Sequence, residues 1–327
     1  MDREKVTLRV SLSPRDARFL PYLLPHQLKM WHDQVDEVLL VYDRHGYESD
    51  AYDKDTAKVI ALISQNLSHY PKIRLLEVDY SPAAKKEISA AYFNNKRVPD
   101  KTHRYGPFYS YFYGLYHAAH DYVFHIDSDI FFGGADPNWV REAIELLKTE
   151  PDVFTCSPFP GPPTADGRLL DQPGTADSSS LRKVYFNSFS TRLFLINKVS
   201  FKNRICPLPV KIARWPLLYR ALLRSRPVFE LPEDTITDIM RKKGLKRVDF
   251  LGMGAGIWSL HPPFRNEEFF QKLPSLIQCI ETGNVPDAQR GYYDINDSMV
   301  NWADAREEIK QASLKRRLLK KFGIRSA

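Results

Sequence analysis

Cysteine is scarce in this sequence, which contains Cys156, Cys206 and Cys279 among its 327 residues. Their number is odd, they lie far apart, and none belongs to a CxxC pair, so neither a disulfide framework nor a cysteine zinc site is indicated. Long hydrophobic runs are also missing, because no stretch of about 18 apolar residues occurs, the length that a membrane span needs. The opening MDREKVTLRV contains no apolar segment of signal-peptide length. We therefore expect a cytoplasmic protein with reduced thiols.

Acidic residues are absent after Glu308, whereas seven lysines and arginines follow it. The chain carries a formal net charge of +7, which favours a polyanionic partner. No nucleic-acid-binding fingerprint accompanies this charge, so we expect no nucleic acid partner. The basic segments 211–226 and 310–325 mix Lys and Arg with large apolar residues, as interfacial helices do on anionic membranes. They indicate peripheral contact with the inner face of a membrane, but helices packed on the domain with a solvated basic face explain them equally well.

The remaining composition is that of a globular protein, at 43% hydrophobic and 27% charged residues. In the first half, short apolar runs alternate with amphipathic stretches, which is the pattern of parallel strands joined by crossover helices. It predicts an open α/β sheet, with a polar interval at 81–104 and a Pro/Gly/Ser-rich loop at 158–180. The predicted strands of the first half are 6–11, 37–43, 72–78 and 122–126, and the predicted helices are 19–32, 53–67 and 107–119.

The strongest functional signal is the segment YVFHIDSDIFFGG, in which an apolar strand ends in Asp127-Ser128-Asp129. Ligands of open α/β sheets bind beyond the carboxyl ends of the strands, so Ser11, Asp43 and this acidic turn should face one crevice. Two carboxylates at this spacing can approach one divalent cation, which in turn neutralises a diphosphate. A D-x-D also occurs by chance as a turn or a helix cap. Its place at the end of a strand favours a site for a sugar nucleotide.

The segment VFHIDSD resembles the Asp-X-Asp element of GT-A glycosyltransferases of the family 2 type, and the N-terminal strand–helix–strand that ends in LLVYD is similar to theirs. The resemblance implies a GT-A fold, a Rossmann-like open mixed sheet flanked by helices. It implies a catalytic domain over 1–265, with a nucleotide-sugar half to about 135 and an acceptor half beyond it, followed by a basic C-terminal helical extension over 266–327. Asp129 would be a metal ligand, Asp127 would contact the ribose or the metal, and Asp43 would lie near the nucleobase or act only as a cap.

A second segment, ELPEDTITDIM, resembles the acidic motif in which inverting GT-A enzymes keep a catalytic base. An acceptor hydroxyl that attacks the anomeric carbon must lose its proton to a positioned carboxylate. Asp234 is the first candidate for this base and Glu233 is the second. The alternative is that Asp234 only caps a helix that begins at Thr235.

A third segment, GIWSLHPPF, is similar to the part of GT-A enzymes that contains a late metal-binding histidine. The resemblance implies His261 as a ligand beside Asp127 and Asp129, a set that suits Mn²⁺ better than Mg²⁺. A lone histidine before two prolines would otherwise be a loop residue. Arg104 could meet a diphosphate, although a solvated basic loop explains it as well. In FNSFSTRLFLINK the resemblance places Asn187 near the donor sugar.

Taken together, these segments predict a metal-dependent glycosyltransferase in glycan or polysaccharide biosynthesis. It would move a sugar from a nucleotide-diphosphate donor to a hydroxyl of a glycan or lipid-linked acceptor, with inversion. A retaining GT-A enzyme shares the fold and the metal site, so Asp234 alone separates the two. A sugar-phosphate nucleotidyltransferase would need a Gly-rich loop where this sequence has SLSPRDARF. A non-catalytic glycan-binding protein is a further alternative, against which the intact Asp129, Asp234 and His261 argue.

Overall fold

The computed structural model describes residues 3–47, 52–177 and 180–311. The helices are α1 (Leu20–Trp31), α2 (Asp53–His69), α3 (Pro82–Tyr92), α4 (Tyr109–His117), α5 (Trp139–Thr149), α6 (Lys198–Ile205), α7 (Leu217–Leu222), α8 (Pro232–Lys243) and α9 (Glu267–Glu281). The strands are β1 (Val6–Leu12), β2 (Glu37–Tyr42), β3 (Ile73–Glu77), β4 (Tyr122–Asp127), β5 (Phe131–Ala135), β6 (Val153–Pro160), β7 (Thr175–Asp177), β8 (Ser180–Phe186), β9 (Leu193–Asn197), β10 (Lys246–Phe250) and β11 (Gly256–Leu260). Residues 303–311 are also helical.

Nine of these strands form one mixed sheet in the order β3-β2-β1-β4-β9-β6-β10-β8-β7. The four strands predicted in the first half are parallel neighbours, as the alternating pattern requires. Strand β9 then enters antiparallel between β4 and β6. Strands β5 and β11 form an antiparallel ribbon that joins the end of β6. The predicted open mixed α/β sheet flanked by helices is confirmed.

Both faces of the sheet are covered by helices, because strand side chains alternate between two apolar cores. On one face α1, α2 and α5 pack against β1, β2 and β4, and the rings of Trp31, Phe124 and Trp139 lie 4.7–5.6 Å apart. On the other face α3, α4, α6 and α8 pack against side chains of β2, β4, β6 and β9. Full burial of an aromatic residue such as Phe124 stabilises the fold by about 2 kcal/mol.

The ribbon of β5 and β11 requires glycine at two adjacent positions of β5. The Trp258 indole lies directly over Gly133, and Gly134 has a φ of +85° with the Gly256 carbonyl against its Cα. A side chain at either position would push β11 away from β5. Because His261 directly follows β11, these two glycines also fix where that histidine lies.

Helix α9 packs on this ribbon and on α1. Its buried Phe269 and Leu273 share a third apolar core with Phe131 of β5 and Trp258 of β11. The division of the chain at 265/266 into a catalytic domain and an extension stays a proposal. Of the described residues, none belongs to a helix long and apolar enough to cross a membrane. The basic segment 310–325 lies outside the described residues except for its first two positions.

Two sequence-based predictions were wrong in the connecting regions. The polar interval 81–104 contains α3, which begins with Ser81 as N-cap, accepting a hydrogen bond from the N–H of Ala84 at 3.3 Å, and with Pro82 in the first turn. The loop predicted at 158–180 is shorter, since β6 continues to Pro160 and β7 occupies Thr175–Asp177; residues 178 and 179 lie outside the described part.

Candidate functional site

The acidic turn lies at the carboxyl end of β4, as the sequence predicts. Asp127 is the last residue of that strand, and the parallel register places it beside Ser11 of β1. The fully buried Gln27 of α1 donates to the carbonyls of Asp127 and Ile130, at 3.1 and 2.9 Å. Because both ends of the turn are held by one side chain, the acidic residues have a fixed backbone.

Asp129 is buried and paired with positive charge. Arg265 Nη2 donates to its Oδ2 atom, and His261 Nε2 lies 3.8 Å from the same oxygen. Burial alone would raise the pKa of Asp129, but Arg265 and His261 outweigh it and hold that pKa below its ordinary value. The carboxylate is therefore ionised at neutral pH.

Asp127 has a different environment. Burial and the adjacent Asp129 carboxylate raise its pKa, and His125 Nε2 lies 3.3 Å from its Oδ1 atom. Beneath the turn, Arg9 is fully buried, with its guanidinium 4.7 Å from the centroid of the Tyr111 ring and one bond of 3.4 Å to Ser11 Oγ. Its Nε and Nη1 atoms have no hydrogen-bond partner among the described residues. This guanidinium supplies positive potential below Asp127.

Ser128, between the two aspartates, points to a third carboxylate. Its hydroxyl donates to Asp16 Oδ2 at 3.1 Å, and the backbone N–H of Ser13 donates to the same oxygen at 2.8 Å. Asp16 is buried, and this desolvation raises its pKa to about 6. Ser128 thus connects the acidic turn to the loop after β1 and does not extend into the open crevice.

His261 completes this part of the site after β11. Its Nδ1 atom lies 2.9 Å from Asp294 Oδ1 and 3.2 Å from Arg192 Nη1, and its ring is stacked at 5.9 Å on Tyr293. The contact with Asp294 orients the ring so that Nε2 faces Asp129. His261 is held as a metal-binding histidine normally is, with one nitrogen fixed by a carboxylate and the other directed at the acidic turn.

The donor set can be compared with the needs of a divalent cation. In the described ranges, no group of three or more His, Cys, Asp or Glu side chains is arranged to hold a metal ion. Asp129 Oδ2 and His261 Nε2 nevertheless lie 3.8 Å apart, within the span of about 4.2 Å that two ligands with bonds of about 2.1 Å can bridge, once Arg265 turns away from the same oxygen. A Mg²⁺ or Mn²⁺ site with two protein ligands takes its other ligands from phosphates and water. The residues fit such a substrate-completed site.

Asp43 lies directly after β2 in a separate polar cluster at the same edge of the sheet. Its carboxylate accepts from Lys101 Nζ at 2.9 Å, from the Tyr80 hydroxyl at 3.1 Å and from the N–H of His45 at 3.0 Å. The His45 ring stacks on Tyr80 with centroids 4.2 Å apart. Asp43 therefore anchors a stacked pair of rings beside the crevice.

A cavity of about 710 Å³ lies next to the residues that contact His261. Arg192, Tyr293 and Asp294, the neighbours of His261, line one side of it. Arg104, Glu233 and Asp234 line another, so the two predicted base candidates open into the same space. A cavity of this size is ample for a sugar and part of its acceptor.

The first turn of α8 sets the roles of the two acids. The helix begins at Pro232 with Leu231 as its N-cap, so the prediction that Asp234 caps a helix starting at Thr235 was wrong. Glu233 Oε2 accepts from both the N–H and the hydroxyl of Thr191, each at 2.9 Å, and so holds the loop before β9. Asp234 is exposed to the cavity; desolvation and the charge of Glu233 raise its pKa, against the opposing effect of Arg104.

Asn187 lies neither at the acidic turn nor in the lining of the cavity. Its side chain is exposed, it is not among the residues that line the cavity, and its carbonyl accepts from Arg241 Nε at 3.1 Å. Four charged residues of the site were not predicted as site residues, because their charges meet only through tertiary contacts. Of these, Arg265 had a local signal, its position just after HPPF, and Asp16 had one in the loop after β1. The four are Asp16, Arg192, Arg265 and Asp294.

Comparison with known proteins gives remote similarities. The mannosyltransferase PcManGT from Pyrobaculum calidifontis, in complex with GDP-Man and Mn²⁺, has 13% identity and a TM-score of 0.42 over 87% of this chain and 64% of its own. TarS from S. aureus, in complex with UDP-GlcNAc, has 13% identity and a TM-score of 0.43 over 84% of this chain and 65% of its own.

The galactosyltransferase LgtC has 12% identity and a TM-score of 0.39, over 87% of this chain and 99% of its own. This chain therefore spans less than two thirds of the length of PcManGT and of TarS. No protein-family model matches the sequence, and no curated protein matches it. Similarities at these TM-scores and identities assign neither a family nor an activity.

Proposed function

We propose that the protein is a metal-dependent glycosyltransferase that moves a sugar from a nucleotide-diphosphate donor to a hydroxyl of a glycan or lipid-linked acceptor. The observation that supports this most is that Asp129 and His261 face each other at 3.8 Å, and that the neighbours of His261 line the cavity into which Asp234 opens. Arg192 and Asp294 contact His261 and line the cavity. A donor held at one side would present its sugar to the other.

The donor end would be held by charge. Asp129 and His261 would bind a divalent cation, Mn²⁺ in preference to Mg²⁺ because imidazole is a softer ligand than oxygen. The bound cation supplies positive charge that stabilises a diphosphate leaving group. Arg192 and Arg265 lie around the same carboxylate and would contact the phosphate oxygens that replace their present partners. The proposed contacts to the rest of the donor are made by Ser11 and Asp127 with the ribose, by Asp43 with the nucleobase and by Arg104 with the diphosphate.

The transfer step would use Asp234 as general base. The acceptor oxygen forms a bond to the anomeric carbon, the bond from that carbon to the diphosphate oxygen breaks, and the electron pair leaves with the nucleoside diphosphate. The proton of the acceptor hydroxyl passes to Asp234. Attack on the face opposite the leaving group inverts the anomeric configuration.

Asp234 suits this role better than Glu233. The side chain of Asp234 opens into the cavity and has no hydrogen bond or ion pair among the described residues, whereas Oε2 of Glu233 accepts two hydrogen bonds from Thr191. A raised pKa also brings the basicity of Asp234 closer to neutral pH, where proton transfer is most effective. A retaining enzyme with the same donor site would not need this carboxylate.

The first test measures thermal unfolding of the wild type with a panel of nucleotide diphosphates and their sugars, with and without Mn²⁺. A ligand of the native state raises the apparent melting temperature. We expect a Mn²⁺-dependent increase that Asp129→Ala abolishes and that Asp287→Asn, a change at a fully exposed acid, preserves. No increase with any nucleotide would contradict the proposal.

The donor so identified would then be used to determine the product. A product whose anomeric configuration is opposite to that of the donor supports inversion by Asp234. A product with the same configuration as the donor favours the retaining alternative. Binding without transfer or hydrolysis would favour a glycan-binding protein. Release of pyrophosphate from a nucleoside triphosphate and a sugar phosphate would identify a nucleotidyltransferase.

A further inference from the structure

Residues 211–230 form a projecting hairpin beside the cavity. Its stem is closed by backbone hydrogen bonds, from Ala213 N–H to the Val228 carbonyl at 2.8 Å and from Glu230 N–H to the Lys211 carbonyl at 2.9 Å. The short helix α7 lies at its outer end, where Ala221 is the sole buried residue of that helix. The sequence predicted one amphipathic segment here, but the chain makes only six helical residues.

The outer end of the hairpin exposes large apolar side chains. Trp215 is 71% exposed, Leu223 is 64% exposed and Leu222 is 59% exposed. With Ile212 and Tyr219 they make up five of the twelve large apolar side chains that are exposed in the described part of the chain. Five such side chains within twelve residues form an apolar patch, which we call the tip patch. The alternative of a helix packed on the domain explains the half-buried Leu217 and Leu218 and the buried Ala221, but not these five exposed side chains.

The charged residues of the segment that contains the tip patch all have one sign. Segment 211–226 contains five Lys and Arg residues and no acid. Lys211 and Arg214, at the stem, lie 2.7 and 3.3 Å from Asp238, whereas Arg220, Arg224 and Arg226 follow at the exposed end. The acids Glu230 and Asp238 lie at the stem, beside Arg214, so the exposed end of the patch is bordered by cations. Such a patch matches a surface that is apolar inside and anionic outside.

We propose that the tip patch docks the protein on an anionic lipid bilayer. Trp215, Leu222 and Leu223 would enter the boundary between headgroups and acyl chains, and the arginines would contact the lipid phosphates. A projecting hairpin can insert between headgroups without any rearrangement of the domain, because its stem is fixed by backbone bonds.

Docking at this place would hold the cavity at the membrane surface. Arg214 and Leu217 belong to the hairpin and also line the cavity. The stem connects directly to α8, and the Phe229 carbonyl accepts from the N–H of His103 at 2.8 Å, next to Arg104. If the proposed glycosyl transfer holds, the acceptor is then an amphiphile anchored in the same bilayer.

The experiment measures cosedimentation of the full chain with vesicles of phosphatidylcholine alone and of phosphatidylcholine mixed with phosphatidylglycerol. We expect the wild type to bind the anionic vesicles, and Trp215→Ser/Leu222→Ser/Leu223→Ser to bind them at least about tenfold more weakly, because three apolar contacts are lost. The matched control is Val199→Ser/Met253→Ser, two exposed apolar residues outside the patch, and should bind as the wild type does. A blue shift of tryptophan fluorescence that Trp215→Phe removes would support insertion.

Three outcomes would overturn the proposal. In the first, the triple variant binds anionic vesicles as strongly as the wild type does. In the second, the wild type does not bind anionic vesicles. The patch could also join two copies, in which case the wild type is a dimer and the triple variant a monomer. Arg220→Glu keeps the patch and reverses one charge, so unchanged vesicle binding by this variant would exclude the electrostatic part. A circular dichroism spectrum equal to that of the wild type shows that a variant is folded, so that weaker vesicle binding then means lost docking. Stabilisation by nucleotide in the same variant shows that the proposed donor site is intact, so that failure of docking and failure of the proposed transfer are distinguished.

Discussion

The carboxylates at the two ends of the candidate site have opposite environments. At the acidic turn, Asp129 is buried and held by Arg265, with His261 beside it. At the start of α8, Asp234 opens into the cavity, and the described residues include no ion pair with it. A carboxylate fixed by a guanidinium stays ionised and serves as a ligand, whereas one with a raised pKa and open access can take a proton. In the proposed function, these different partners assign Asp129 to cation binding and Asp234 to proton transfer.

The change expected to have the largest effect removes the binding carboxylate. Asp129→Asn keeps the shape but not the charge, so transfer should fall on the order of 10⁴-fold and the Mn²⁺-dependent stabilisation by nucleotide should disappear. Initial rates and thermal unfolding measure both. Asp297→Asn, at an exposed acid paired with Arg306, is the control. If Asp129→Asn still binds nucleotide in a Mn²⁺-dependent way, Asp129 is not a ligand of the cation.

The second change removes the proposed proton acceptor. Asp234→Asn should lower kcat by about 10³-fold, because a general base contributes this order of rate enhancement. Donor binding, measured by thermal unfolding with nucleotide and Mn²⁺, should stay as in the wild type. If the variant instead loses donor binding and keeps kcat, Asp234 is a donor-binding residue like Asp129 and not the general base.

The third change tests the partner of the binding carboxylate. Arg265→Met retains an apolar stem over Phe19 but removes the guanidinium, so donor affinity should fall by about 10- to 100-fold. KM for the donor is the measurement. Arg18→Met is the matched control, since Arg18 also lies over a phenylalanine ring, that of Phe270, and is paired with Glu267 away from the site. An equal effect in both variants would assign Arg265 a role in packing only.

The smallest effect is expected at Glu233, and it concerns pH. Glu233→Gln can still accept from Thr191 but loses the charge that raises the pKa of Asp234. That pKa should therefore fall, Asp234 should stay ionised at lower pH, and the acid limb of the kcat profile should move to lower pH. At neutral pH we expect a rate loss of only about fivefold, the size of a modest change in basicity. A thousandfold loss would identify Glu233 as the base in place of Asp234.

The end of β4 could be predicted from local sequence because its signal is local, whereas the sequence predicts the start of α8 three residues too late. An apolar strand followed directly by two aspartates fixes where Asp127 and Asp129 lie, and the parallel register then places Ser11 beside them. The cations that decide what these acids do could not be predicted in the same way. Arg265 meets Asp129 across 136 positions of the chain, and no periodicity or turn preference records such a contact.

The missed elements have a related explanation. The pair Gly133 and Gly134 is typical of a turn, so the sequence did not indicate strand β5. Glycine is needed there because the Trp258 ring of a distant strand lies against it. Segment 211–226 was predicted as an interfacial basic helix or as a helix packed on the domain, because it mixes Lys and Arg with large apolar residues. Whether such a face is buried or exposed depends on what the rest of the chain leaves uncovered.

The contacts of His261 also have a consequence for the order in which the site forms during synthesis. The acidic turn at 127–129 leaves the ribosome long before Arg265 and Asp294. A nascent chain that extends only to this turn contains both of its carboxylates and the buried Arg9, but not His261 or Arg265. The site as described is therefore complete only after residue 294 has been synthesised, beyond β11.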